Sequence, residues 1–285
     1  MYREFYGLKE KPFNVTSDPN FLFFSRTHKD AFSHLLYGIK ERKGFIAITG
    51  EIGAGKTTLC RALLNQLDTD STKTAFIFNP TLSGTQLLLA ILGDFGVPPK
   101  IKNKITLFNQ LNQFLLEELS LAHNVVLIID EAQNIKKPLL EEIRMLSNLE
   151  TEKEKLFQII LVGQPQLNDK LNAPELRQLR QRIAVRYHIS PLDKDEVGTY
   201  IHHRLKVAGS SDDIKFTDES LDKIYAYSRG VPRLINLVCD RSLLEGFSRS
   251  TKILDGNTIQ ASVDDIEGRS IKFEELEPQE KGVLQ

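Results

Sequence analysis

The order of apolar segments predicts an α/β protein: a parallel sheet wrapped by helices on both faces, followed by a small all-helical domain. Two observations carry this expectation. Short apolar runs with strand character at 45–49, 74–79, 125–129, 157–162 and 184–189 alternate with amphipathic stretches long enough to be helices. Strands that are apolar throughout are buried on both faces, the situation of a parallel sheet covered by helices. After Pro191 the strand-like runs stop, and apolar residues recur at helical spacing to about Asp265.

In chain order, Pro12 and Pro19 break the start into an extended lead-in, and Phe32, Leu35, Leu36 and Ile39 place one helix over 28–42. Between the strands, helices are expected over 56–67, 84–95, 106–122 and 138–150. Beyond Pro191 they are expected over 195–207, 218–228, 232–247 and 257–266. Thr217 with Ser220 nearby, and Pro232 after Gly230, are start signals for two of these. The division is then a lead-in and helix over 1–43, an α/β domain over 44–191, a helical domain over 192–267 and a tail over 268–285. Seven acidic residues against three basic ones over 264–285, with few large apolar groups, predict a mobile end.

A chain of 285 residues, 41% of them hydrophobic, fills a sizeable core without covalent staples. Cys60 and Cys239 stand apart in apolar, helix-like contexts, with neither a CxxC spacing nor a histidine cluster, which argues against a disulfide framework and a zinc site. The first six residues lack the apolar core of a secretory signal. The longest apolar runs, 87–92 and 125–129, fall far short of the roughly 20 residues that span a bilayer. The expectation is a soluble cytoplasmic protein with no direct membrane insertion. A formal net charge of -1 provides no general attraction to nucleic acid or membrane.

Gly50-Glu51-Ile52-Gly53-Ala54-Gly55-Lys56-Thr57 fits the pattern G-x-x-x-x-G-K-[ST], between the first predicted strand and the helix beginning near Lys56, with Thr58 next. Three glycines let backbone N–H groups face a polyphosphate without side chains intervening, and the helix N-terminus adds the positive end of its dipole. Lys56 would reach the outer phosphates of ATP, and Thr57 would ligate Mg²⁺. The third strand ends in Asp130 and Glu131. A carboxylate ending a buried strand needs compensation, which a metal with its waters supplies, so Asp130 fits a Mg²⁺ partner. Glu131 can then point at the water attacking the γ-phosphate, as base or orienting group. Positive charge for the transition state has two candidate sources. One is Arg177, Arg180 and Arg182 just before the fifth strand, with Arg186 inside it; the other is Arg233 in Gly230-Val231-Pro232-Arg233, at a helix start. The first group also fits a solvated basic helix face.

The Walker A segment, the Asp130-Glu131 end of a Walker B strand and the Gly-x-Pro-Arg opening a helix of a helical lid together resemble AAA+ ATPases. Phe5-Tyr6-Gly7-Leu8-Lys9-Glu10-Lys11-Pro12-Phe13, the run Leu-Leu-Glu-Glu-Ile-Arg-Met-Leu-Ser-Asn-Leu at 139–149 and Leu161-Val162-Gly163-Gln164-Pro165 narrow this to the ExeA/GspA family of secretion-associated ATPases, over 1 to about 266. The resemblance implies that Asn79, ending the second strand, restrains Glu131. It implies that Gln164, ending the fourth, takes the sensor-1 position against γ-phosphate or water, where many AAA+ proteins carry Asn or Thr. Arg182 or Arg180 matches the arginine finger that reaches the neighbouring subunit's site, Arg233 matches sensor 2, and residues 5–30 would line the adenine pocket. A finger acting in trans implies an ATP-promoted ring or helical homo-oligomer.

The leading expectation is therefore an oligomeric, Mg-ATP-hydrolysing motor or regulator in the assembly of a secretion or cell-envelope apparatus. Full-length family members continue into a transmembrane helix and a peptidoglycan-binding domain, which this sequence lacks. It is then a piece of a longer protein, or a short stand-alone member peripheral to the inner membrane through a membrane-bound partner. The alternative is a DNA-associated AAA+ regulator, such as a transposon target-selecting ATPase, with basic surface from 177–186 or 100–104; no DNA-reading module is recognised. A third is a nucleotide switch that recruits a partner and hydrolyses slowly.

Overall fold

The computed structural model describes residues 2–78, 80–99, 103–151 and 155–269. A short helix α1 (Tyr2–Phe5) and a loop lead into α2 (Arg26–Lys40). The α/β part then runs β1 (Phe45–Gly50), α3 (Lys56–Gln66), β2 (Thr72–Ile77), α4 (Gly84–Asp94), α5 (Lys104–Ser120), β3 (Asn124–Ile129), α6 (Lys137–Leu146), β4 (Gln158–Gly163), α7 (Gln166–Leu171), α8 (Arg177–Arg182) and β5 (Ile183–Ile189). The strands form one sheet in the order β2-β3-β4-β1-β5, with every neighbouring pair parallel.

Alternation along each strand explains why two layers of helices are needed. Phe45, Ala47, Val125, Leu127, Ile129, Ile159 and Leu161 share one core with α4, α5 and α6. Their neighbours Ile46, Ile48, Val126, Ile128, Ile160 and Val162 pack on the opposite face against α2 and α3. A period of two with both phases apolar leaves no face for water. Helix starts follow local chemistry: Ser25 caps α2 by accepting from His28 N–H, and Ser83 and Gln86 form a reciprocal capping box on α4.

The C-terminal part is α9 (Lys194–Val207), β6 (Lys215–Phe216), α10 (Asp218–Ser228), α11 (Pro232–Ser248), β7 (Ile253–Leu254) and α12 (Gly256–Ile266). The start signals act as expected: Thr217 Oγ accepts from Ser220 N–H at 3.3 Å, and Pro232 sits in the first turn of α11. The expectation of an all-helical part needs correction, because β6 and β7 pair in parallel, Lys215 opposite Ile253 and Phe216 opposite Leu254. Two residues per strand are too few to show a period in sequence.

The start of the chain packs here as well. Tyr2, Tyr6, Leu8, Phe13 and Phe21 join Tyr200, Ile201, Val238 and Leu243 in a third core. Tyr6 is fully buried and donates to the carbonyls of Leu243 (3.1 Å) and Thr251 (3.2 Å), and burial pushes its phenol up to about 12. The second predicted strand, 74–79, is shifted to Thr72–Ile77, and helix 138–150 shortens to Lys137–Leu146. Helices α7 and α8 were not predicted as separate elements; six residues each hold less than two turns of pattern. Of the acidic end, 264–266 continue α12, and 270–285 lie outside the described residues. No helix among the described residues is long and apolar enough to cross a membrane.

Candidate nucleotide site

A parallel sheet aligns its strand ends, so residues just after β1, β3 and β4 converge on one edge, where ligands of open α/β sheets bind. The three segments singled out in sequence leave those ends: 50–58 follows β1, Asp130 and Glu131 follow β3, and Gln164 follows β4. A cavity of about 330 Å³ opens there, lined by Ile52–Thr58, Glu131, Gln164 and Arg233, with residues 14–18 and 21–23 of the lead-in as another wall.

The loop's shape depends on its glycines. Gly53 and Gly55 have φ of 80° and 90°, in the left-handed region that suits glycine. A Cβ on Gly53 would lie 2.5 Å from Arg233 Cβ, and one on Gly55 would lie 3.1 Å from His28 Nε2. His28 is a feature the sequence reading passed over. It is 3% exposed, its Nε2 donates to the Ala54 carbonyl at 2.9 Å, and its Nδ1 therefore accepts from Ser25 Oγ at 2.7 Å. Burial lowers its pKa, so the ring is the neutral tautomer that ties α2 to the loop.

Lys56 and Asp130 are buried charges at 6% and 1% exposure. Lys56 Nζ donates to the carbonyls of Gly50 and Glu51, each at 2.8 Å, and burial lowers its pKa against the pull of Glu131 and Asp130. Thr57 Oγ donates to Asp130 Oδ2 at 2.5 Å, while Glu131 N–H donates to Asp130 Oδ1 at 2.8 Å. Burial raises the Asp130 pKa, and these two donors oppose the rise. Thr57 and Asp130 supply adjacent hard oxygens, the donor type Mg²⁺ takes. Among the described residues no cluster of three or more His, Cys, Asp or Glu could hold a metal, so a Mg²⁺ here would draw its other ligands from phosphates and water. The residues present fit the ion; when bound it would neutralise charge on the phosphates.

Glu131 adopts φ of 54°, and its Oε2 accepts from Gln133 Nε2 at 2.5 Å and Gln164 Nε2 at 3.2 Å. Gln164 is the residue that the resemblance singles out; Gln133, which no motif marks, stands two residues after Glu131 on a short 3-10 turn (Ala132–Asn134). Arg233 is exposed at the start of α11, its backbone N–H donating to Gly53 O at 3.2 Å. Asp130 sits behind Thr57 rather than in the cavity wall. Arg180 and Arg182 are not brought to the cavity of their own chain; Arg182 donates to Ser147 Oγ at 2.7 Å. Asn79 lies outside the described residues.

Arg204 was also missed. It is 6% exposed, donates to the carbonyls of Pro12 (2.5 Å) and Asn14 (3.0 Å), and lies over the Phe21 ring at 4.7 Å. It thereby fastens the lead-in wall to α9. The i, i+4 spacing of Tyr200 and Arg204 was its available signal, since it puts both on one helix face. Cys60 and Cys239 are buried and free, and burial pushes both thiols up.

A family profile described as an AAA domain matches residues 39–171, from the end of α2 through α7. Fold and match define the class: the chain is an AAA+ ATPase. General secretion pathway protein A of Aeromonas hydrophila is 44% identical over 259 residues, which are 90% of this chain and 47% of that protein. The chain is similar to that protein along most of its own length and spans about half the length of this relative. Solved structures share the fold at low identity. ORC2 of Aeropyrum pernix has a TM-score of 0.67 at 16% identity, covering 90% of this chain and 72% of that one. Cdc6p of Pyrobaculum aerophilum has 0.66 at 18%, covering 84% and 67%. The RuvB Holliday junction branch migration motor of Thermotoga maritima has 0.56 at 17%, covering 85% and 69%.

Proposed function

We propose that this chain binds Mg-ATP between the lead-in, the 50–58 loop and the helical lid, and hydrolyses it within a homo-oligomer that serves a secretion or cell-envelope apparatus. The observation that carries the site is the convergence of Lys56, Thr57, Asp130 and Glu131 at one sheet edge. In this reading the backbone of 50–57 and Lys56 hold the phosphates, Thr57 and Asp130 hold Mg²⁺, and Glu131 orients the attacking water and takes its proton. Gln164 lies beside Glu131 to contact γ-phosphate or water, and Arg233 links the phosphate loop to the lid as sensor 2. Asn79 keeps its assignment as a restraint on Glu131.

Arg180 and Arg182 stand away from their own cavity, which supports a finger offered to a neighbour. The division into 1–43, 44–191 and 192–267 follows the same logic, with the lid moving against the sheet. The secretion role rests on the 44% identity to general secretion pathway protein A. Attachment to the inner membrane would come through a membrane-bound partner. The DNA-associated reading has no observation of its own beyond a shared fold.

The test is solution mass with and without Mg-ATP for the parent and Glu131→Gln, which should bind nucleotide but stall. A defined oligomer of the stalled variant on adding Mg-ATP is the expected result. A variant that stays monomeric while saturated with Mg-ATP contradicts the oligomer reading.

A further inference from the structure

Three contacts meet on a residue that no motif assigns. Gln133 Nε2 donates to Glu131 Oε2 at 2.5 Å, and Gln133 Oε1 accepts the Gln164 backbone N–H at 3.0 Å. Its own carbonyl accepts from Lys170 Nζ, which also donates to Ile135 O at 2.7 Å. The amide thus bridges the end of β3 to the end of β4, while Lys170 of α7 fixes the backbone that carries it. The close approach is built in. A Cβ on Gly163 would lie 2.8 Å from Gln133 Oε1 and 3.3 Å from Gln133 N, so a side chain at the end of β4 would push the amide out of the bridge.

The geometry matters because Glu131 has φ of 54°, a left-handed conformation that a non-glycine residue keeps only where its surroundings hold it. Its carboxylate has several rotamers open to it, and two amide donors select one. We infer that Gln133 is a positioning residue for hydrolysis: it aims the Glu131 carboxylate and ties that aim to the Gln164 strand end. Movement of Gln164 with the state of the phosphates would then reach Glu131 by two routes, through the Gln164 side chain and through the Gln133 amide. The inference rests on the proposed role of Glu131.

The test measures Mg-ATP affinity and kcat for the parent, Gln133→Ala, Gln133→Glu, Gly163→Ala and, as the control, Glu131→Gln. Gln133 does not line the nucleotide cavity, so Gln133→Ala should leave Kd within about twofold while kcat falls by about tenfold to a hundredfold, a fraction of what a general base supplies. Gly163→Ala should reproduce that loss by displacing the amide. Gln133→Glu keeps the length of the side chain but loses the amide donor, so its kcat should fall as it does in Gln133→Ala, again with Kd within about twofold. A merely structural role would weaken nucleotide binding together with kcat. Parental kcat in Gln133→Ala or Gln133→Glu, with Glu131→Gln inactive, overturns the inference alone. Parental kcat in Glu131→Gln overturns the reading of Glu131 and this inference with it.

Discussion

Lys56 and Asp130 are the buried charges on which the proposed site depends, and burial pulls both toward neutrality. Nucleotide phosphates and Mg²⁺ would offset that cost. Lys56→Ala should weaken Mg-ATP binding by about 1.5–3 kcal/mol, the scale of a hydrogen bond to a charged group, in an equilibrium titration. Unchanged affinity would contradict the loop's role. His28 gives a prediction in pH. Its folded pKa is depressed below 6.5, so as pH falls the unfolded chain takes the proton first. Its contribution to stability is fully present above about 6.5 and is lost as pH falls from there through the folded value. His28→Gln should flatten the fall in Tm between about pH 7.5 and 5, with the remainder owed in part to His203, whose pKa burial also lowers. Equal slopes would contradict this. The phosphate loop and the acid pair were legible in sequence because their chemistry is contiguous. His28, Gln133 and Arg204 were not, because each acts on a segment that only folding brings near.

At the scale of elements, strands were the easiest to read, since apolar runs such as 125–129 leave no polar phase. Their ends were less clear, because the second strand is set by pairing with β3, from Thr72 opposite Asn124 to Ile77 opposite Ile129. The helical part was read from periodicity and caps, which the two-residue β6 and β7 lack. Its junction with the sheet turns on Gly230, with φ of 77° and a prospective Cβ only 1.9 Å from Leu192 O. Leu192 N–H donates to Gly230 O at 2.9 Å across the same point. Gly230→Ala should therefore destabilise the protein by at least about 1–3 kcal/mol, read as a lower denaturation midpoint. A midpoint within error of the parent would show that the junction yields without cost.

For the whole molecule, the lead-in joins what chain order separates: its aromatic residues complete the core of the C-terminal helical part, and its loop walls the cavity. The family resemblance implies that this segment lies near the base of a nucleotide, but the packing of Tyr6 against Leu243 and Thr251 spans more than two hundred positions and could not be read locally. A finger in trans has a consequence for mixtures. Arg182→Ala and Glu131→Gln should each be inactive, yet mixing them should restore hydrolysis at sites that pair an intact Glu131 with an intact neighbouring arginine. If Arg182→Ala keeps its activity, the finger passes to Arg180, and if neither variant loses activity the finger assignment fails.

Single-turnover hydrolysis of Mg-ATP alongside equilibrium binding, for the parent and Glu131→Gln, separates the proposed role of Glu131 in hydrolysis from nucleotide binding. Affinity should stay within about twofold while the hydrolysis rate falls by about a hundredfold or more. Equal hydrolysis rates at equal saturation would remove Glu131 from the chemistry.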